Sequence, residues 1–476
     1  MRLNFRKTFV LFFLLLFVFG SGCTKAPSAA LIKASEPQDI KIWAVVDDED
    51  AYSKIIAAYR AVHPQIHITF RRFRQNEYEK YLLNAMAEDR GPDIFLIRND
   101  WVSRYQSKIA PMPAYTKMVY KFKKGGYTSN KEEIVLKNEK SKTVMQIKND
   151  YPDVVAKDVL RIMQSENKDG KKVFKQEVLA LPMSVDTLVM YVNKDILNIA
   201  GIPVIPNTWS RFQSTIKRLV KLDAEGNIVQ AGAALGTADN IEHPVDLLSI
   251  LMMQNGTDMV DDSNNPTFAQ MPARFSGTRK EIPALQAITF FHDFADSEKD
   301  IYSWNADLPN VFDMFVQGRL AYYFGYSYTL PLIRARAPKL NLAIAHLPQI
   351  EGNPEVNFAS YWVWTVSKKS KHTDTAWNIL NFFTKQENEK IFLDTVKRPA
   401  AHKQLLEKQL EDEDLAVFAS QVLTSQSWYR GYDSQAVDDI FKDMIRKLHE
   451  IKRQDWLKLL RLTQSKVEQT MQPKRY

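Results

Sequence analysis

Residues 40–70 read IKIWAVVDDEDAYSKIIAAYRAVHPQIHITF, and their order of patterns decides the fold. The run from Ile40 to Val46 is rich in strand-forming residues, and Asp47-Asp48-Glu49-Asp50 stands where a strand ends and a helix begins. Ile55, Ile56 and Tyr59 then recur at helical spacing over residues 51–62, until His63-Pro64 stops the helix. Ile66-His67-Ile68-Thr69-Phe70 alternates as a second strand. Outward from this core, residues 77–88 continue as a helix that ends before Gly91-Pro92, and Asp93-Ile94-Phe95-Leu96-Ile97 is a short buried strand. Strand, helix, strand, helix, strand is the signature of an α/β lobe with a mainly parallel sheet.

Further on, residues 117–178 are polar and read as helical pieces, with a turn at 167–171. The extended apolar stretch 179–194 is expected to make the first crossing between two lobes. Thr208-Trp209 opens a helix running to 222, Thr208 being a suitable N-cap, and residues 223–227 turn the chain. Residues 231–235 read as a strand, 310–316 as a helix, and 320–324 and 360–366 as buried strands. Helices dominate from Thr373 to the end, and no repeat of fixed period is present.

The N-terminal residues carry the three parts of an export signal: basic Arg2, Arg6 and Lys7, an apolar run over 9–19, and small Gly20-Ser21-Gly22. The run falls short of the ~20 residues of a spanning helix, so a cleaved signal over 1–22 is expected. Cys23 follows, and it is the only cysteine, which excludes a disulfide framework and a cysteine pair for metal or redox work. Small-small-Cys after an apolar run resembles the lipobox of bacterial lipoproteins, which implies lipidation of Cys23 and anchoring to the outer face of the bacterial cell membrane. Residues 23–38, with Pro27, Ser28, Ser35 and Pro37, then read as that lipidated cysteine and a flexible tether.

A length of 476 residues calls for two lobes rather than one core. The net charge of +8 falls to about +5 once the three signal bases are removed. Spread over 64 basic and 56 acidic residues, that excess is too dilute for a nucleic-acid partner, which needs bases gathered on one face. The densest basic stretch, 117–148, is interleaved with Glu132, Glu133 and Glu139 and reads as a solvated helical surface. No nucleophile elbow, phosphate loop or zinc motif occurs, and His243 has no second His or Cys at ligand spacing. No metal and no cofactor are expected.

Four features now stand in order: Ile42-Trp43 with Asp47-Asp48; Gly91-Pro92-Asp93-Ile94-Phe95 leading to Asn99-Asp100-Trp101; Ala180-Leu181-Pro182 through Asp186 to Tyr191-Val192-Asn193-Lys194-Asp195, followed by Thr208-Trp209; and Phe315 to Leu320, then Phe324-Gly325-Tyr326. In this order the chain resembles the family 1 extracellular solute-binding proteins of ABC importers, over most of residues 38–460. The resemblance implies a periplasmic-binding-protein-like fold, two α/β lobes joined by a multi-crossing hinge, with a small-molecule ligand held in the cleft as the lobes close. It implies no catalysis, and a monomer that serves ABC permease subunits in the membrane. The expected layout is an N-terminal lobe over 39–185 with a polar insertion at about 117–178, and a C-terminal lobe over 186–346. A return segment over 347–385 and C-terminal helices over 386–476, packing mainly on the second lobe, complete it.

Ligands of open α/β sheets sit beyond the carboxyl ends of strands. Asp47, Asp48, Asn99, Asp100 and Trp101 stand there in the first lobe, and Asp186 beside the first crossing. Carboxylates and amides meet sugar hydroxyls, and an aromatic face covers the apolar side of a sugar ring. Asn240, Glu242, His243, Tyr326 and Tyr328 are the candidates from the second lobe, and Tyr361, Trp362 and Trp428 from the last third. Other roles compete: Asp47 to Asp50, Asn99 and Asp100 also suit helix N-termini, and Trp101 suits a core. A sugar is the expected ligand, and a polyamine would also suit Asp47, Asp48, Asp100 and Asp186. A two-carboxylate glycosidase and a surface adhesin or sensor lipoprotein are the competing functions.

Overall fold

The computed structural model describes residues 35–124, 131–166 and 171–473. The expected signal, Cys23 and most of the tether lie outside the described residues.

Two five-stranded sheets organise the chain. The first has the order β2 (Ile66–Arg72), β1 (Gln38–Ala44), β3 (Ile94–Arg98), β15 (Trp362–Val366), β8 (Leu181–Pro182). β1 runs parallel to β2 and β3, while β15 runs antiparallel to β3 and β8. In β1 the residues Ile40, Ile42 and Ala44 face inward and Asp39 and Lys41 outward, the period-two pattern of a strand with one covered face. The helix Asp50–Val62 covers that face with Tyr52, Ile55, Ile56 and Tyr59.

The second sheet has the order β10 (Lys221–Leu222), β11 (Ile228–Ala233), β12 (Leu320–Gly325), β9 (Val189–Asn193), β13 (Leu342–Ala345). Only β11 and β12 are parallel in it. β9 and β12 are buried along their whole length, as central strands covered on both faces must be. Each sheet lies in its own hydrophobic core, so the molecule has two lobes of the periplasmic-binding-protein-like type.

Within the described residues the chain passes between the lobes three times. It leaves β8 for β9 through residues 183–188, and returns from β13 to β15 through β14 (Asn357–Phe358). It leaves again through the helix Ala416–Val422 and β16 (Ser425–Gln426), whose Phe418 belongs to the second core while Ala419 and Val422 belong to the first. The crossings are laced together: Thr187 bridges Ala359, and β14 pairs with β16.

Two expectations are corrected. Residues 117–178 are largely strand, not helix: β4 (Tyr115–Lys124) pairs with β5 (Lys131–Lys140), and β6 (Leu160–Glu166) with β7 (Lys172–Val178). Pairs such as Val119 with Leu136 and Tyr120 with Val135 make the hairpin, and the many lysines between them hide the strand-forming residues. Among the described residues there, only Val144–Asp150, opened by a Thr143–Gln146 capping box, and Asp153–Val159 are helical. The helices after residue 386 divide between the two lobes instead of packing mainly on the second. Gln386–Val396 and Lys403–Gln409 add Phe392, Leu393, Leu405 and Leu406 to the first core. Ser434–Leu448 and Trp456–Thr470 add Phe441, Ile445 and Leu460 to the second.

Candidate functional site

The carboxyl ends of β3 and β12 face one cavity of about 480 Å³, within the usual range of small-molecule sites. The first lobe lines it with Val46, Arg72, Gln75, Arg98, Trp362 and Arg398, and the second with His243, Asp246, Tyr326, Tyr328, Leu332, Asp438 and Lys442. Ser184, Asp186, Ser360 and Tyr361 close it at the crossings. A smaller recess of about 40 Å³ adjoins it, lined by Asn99, Asp100, Ser427 and Trp428 and sharing Arg98, Asp246 and Asp438 with the larger space.

Tyr326 and Tyr328 follow the end of β12 directly, which fixes their backbone. Their rings stack at 6.0 Å, and the edge of His243 meets Tyr326 at 4.9 Å. His243 holds a left-handed backbone at φ 55° just before the helix Pro244–Gln254, and its Nε2 lies 2.8 Å from the Tyr328 hydroxyl. Asp246, on that helix, accepts from the Tyr326 hydroxyl at 2.7 Å. The result is a braced aromatic wall. Trp362 belongs to the first lobe, its ring set edge-on to Trp101 at 5.9 Å.

Charges in the cleft are arranged in pairs and orphans. Arg398 grips Asp47 through two bonds of 2.8 and 3.0 Å, and burial pushes the Asp47 carboxyl upward against that pull. Arg98 meets Asp100 at 2.8 Å. Burial works against the Arg98 charge, but Asp100, Asp438 and Asp246 outweigh it and keep the guanidinium protonated. Asp186 accepts from Ser327 Oγ at 2.7 Å, from the Ser327 N–H at 3.1 Å and from the Thr187 N–H at 2.9 Å. Burial nevertheless pushes it up to about 6. Burial also pushes Asp438 up to about 7, with Arg98 pulling the other way, and lowers His243 toward the neutral imidazole.

Of the residues singled out in the sequence, Asp186, His243, Tyr326, Tyr328, Tyr361 and Trp362 line the cleft, and Asn99, Asp100 and Trp428 line the recess. Asp47 and Asp48 stand one step back, each holding an arginine that reaches the cavity; Asp48 meets Arg72 at 2.6 Å. Trp101 stacks on Tyr105 behind Trp362 and lines neither cavity. Glu242 accepts from the Tyr323 hydroxyl and borders a neighbouring shallow cavity with His243 and Lys442. Asn240 turns into the second lobe, donating to the carbonyls of Asn305 and Leu308 at 2.8 and 2.9 Å and accepting from the Trp304 indole. Arg72, Arg98, Asp246, Arg398, Asp438 and Lys442 were not anticipated. Arg98 was within reach, standing one residue before Asn99 at the end of β3; Asp438 and Lys442 share a late helix that carries no local sign of a site.

Residues 44–390 match the family model described as bacterial extracellular solute-binding protein. Among solved structures, the GacH receptor of Streptomyces glaucescens, determined unliganded and with acarbose, is 14% identical with a TM-score of 0.65, over 92% of this chain and 100% of that one. A cyclic α-maltosyl-1,6-maltose binding protein from Arthrobacter globiformis is 15% identical with a TM-score of 0.68, over 91% and 99%. An ABC substrate-binding protein from Listeria monocytogenes, solved with cycloalternan, is 15% identical with a TM-score of 0.63, over 92% and 99%. At such identities the likeness is one of fold.

Proposed function

Since the chain belongs to the bacterial extracellular solute-binding protein family, whose members bind solutes without transforming them, we propose that its solute is a sugar or short oligosaccharide, captured as the lobes close. The observation that carries this reading is the cavity of about 480 Å³ with aromatic faces from both lobes, Tyr326 and Tyr328 on one side and Trp362 on the other. Aromatic rings cover the apolar faces of a sugar, while Asp186, Gln75, Ser184 and Ser360 offer hydrogen-bond partners to its hydroxyls. The protein of similar fold from Arthrobacter globiformis is named as a cyclic α-maltosyl-1,6-maltose binding protein and the one from Listeria monocytogenes was solved with cycloalternan, which supports the same class.

Delivery to the permease subunits of an ABC importer, from a position fixed by lipidated Cys23 on the outer face of the membrane, completes the proposal. The residues from 39 onward would then be the soluble receptor and residues 23–38 the tether. A thermal-shift screen of the purified protein against sugars, oligosaccharides, polyamines and amino acids tests it, because a ligand bound only by the folded state raises the melting temperature. A rise with sugars supports the reading. A rise confined to amino acids would overturn the solute class and leave the fold and family untouched.

A further inference from the structure

The side chains facing the cleft do not balance their own charge. Arg398 is matched to Asp47 and Arg72 to Asp48 within the first lobe, and Arg98 is matched to Asp100. Asp186, Asp246 and Asp438 remain, against Lys442 alone. Asp186 is answered by the hydrogen bonds of Ser327 and Thr187. Asp246 receives the Tyr326 hydroxyl and lies 3.6 Å from His243, whose neutral form burial favours. Asp438 has no hydrogen bond and no ion pair among the described residues.

The imbalance is concentrated at the recess. Asp100, Asp246 and Asp438 all border it, with Arg98 as the one cation, and Asp100 Oδ1 and Arg98 Nε are closed off from solvent with no hydrogen-bond partner. Burial pushes the Asp100 and Asp438 carboxyls upward, and in each case Asp246 adds to the rise while Arg98 opposes it. Like charges crowded out of water are what a bound cation relieves. The recess, at about 40 Å³, has room for an amino group and the carbon bearing it and none for a sugar ring. It opens beside the larger cavity, where a ring could rest against the aromatic wall.

We propose that the solute carries a protonated amine, that this amine seats in the recess among Asp100, Asp246 and Asp438, and that the ligand is therefore a sugar with a free amino group. The inference rests on the sugar reading of the cleft and narrows it. An ammonium donates a charge-assisted hydrogen bond to Asp438, which has no partner among the described residues, and offsets the excess charge of Asp100 and Asp246, whereas a hydroxyl or an acetylated amine leaves that charge uncompensated.

The test is calorimetry of the purified protein against four probes: the free-amine disaccharide of chitosan, its N-acetylated counterpart, cellobiose, and spermidine. The free-amine disaccharide is expected to bind at least about tenfold more tightly than the acetylated and neutral ones, and Asp438→Asn and Asp100→Asn to erase that preference. Equal or tighter binding of the neutral or acetylated disaccharide would overturn the amine site and leave the sugar reading standing. Binding of spermidine alone would keep the amine recess and remove the sugar. Silence with all four probes would count against both.

Discussion

Asp158 accepts a hydrogen bond from the Tyr361 hydroxyl at 2.9 Å, so a helix of the inserted segment is fastened to the crossing that borders the cleft. The same carboxylate accepts from Asn99 Nδ2 at 2.9 Å and from Ser427 Oγ at 2.7 Å, and pairs with Arg430 at 3.0 Å. It is only 1% exposed. One buried charge thus gathers the end of β3, the second crossing and the start of the last helical segment, the stretches that must keep their spacing if the cleft is to close on a solute.

Asp158→Ala is expected to destabilise the protein by about 3 kcal/mol or more, since it leaves the partly buried Arg430 without its carboxylate and the donors of Asn99, Tyr361 and Ser427 unanswered. Asp158→Asn, which keeps an acceptor, should cost less. Urea unfolding of the two variants reads the difference, and an alanine variant as stable as the parent would remove the fastening role.

Tyr328→Ala should weaken solute binding by roughly 1–2 kcal/mol while leaving the melting temperature near that of the parent. Tyr328 is 41% exposed and its hydroxyl is held by His243, so it has little core to lose and a ligand face to give up. Asn240→Ala should do the reverse, lowering stability through the lost bonds to Asn305, Leu308 and Trp304 with solute affinity kept. Calorimetry and a melting curve on each variant separate the two; unchanged affinity in Tyr328→Ala would move the aromatic wall out of the site.

The elements of both lobes were legible where one local signal decided them. Ile40 to Val46, the helix after Asp50 and the strand at Leu320 follow from spacing alone, and Thr208 caps its helix as expected, accepting from the Arg211 N–H. Of the residues lining the cleft, Tyr326 was singled out because it follows a strand end, Asp186 because it stands beside the first crossing and Trp362 as an aromatic of the last third. Asp438 and Lys442 reach the cavity from the side of a helix by long-range packing, and no pattern around them says so. Asn240 misled for the opposite reason: it follows a strand end, yet Trp304 and two carbonyls claim its side chain. The hairpins at 117–178 were hidden by charge, because lysine and glutamate mask period-two pairing that only the partner strand reveals.

Cys23→Ala is expected to release the protein from the membrane. If the tether reading is right, fractionated cells will hold the parent in the membrane pellet and the variant in the soluble fraction, with the same melting temperature for both. Retention of the variant in the pellet would show that something other than the cysteine holds the chain there.

Glu389 gives a pH dependence whose sign is fixed by its surroundings. It is fully buried, its Oε1 accepts from the N–H groups of Ala401 and His402 at 2.9 Å each, and its Oε2 has no partner. Burial pushes the carboxyl up to about 8, against the two N–H groups and Lys142, from an unfolded value of 4.5. The folded state therefore keeps a proton that the unfolded chain releases. The stability this group contributes is complete below 4.5 and drains away as pH rises toward 8, at roughly 1 kcal/mol per pH unit. Asp186 and Asp438 drain in the same direction but are spent by about 6 and about 7. Lys142, lowered by burial to about 8, acts with the opposite sign and only above that pH. Glu389→Gln isolates the effect, because the amide stays neutral throughout. Its stability relative to the parent, read by urea unfolding, should climb by roughly 1 kcal/mol for each pH unit between about 5 and 8. Parallel stability curves for the two proteins would mean that Glu389 ionises in the folded state as easily as in the unfolded one, and that its burial is relieved by solvent.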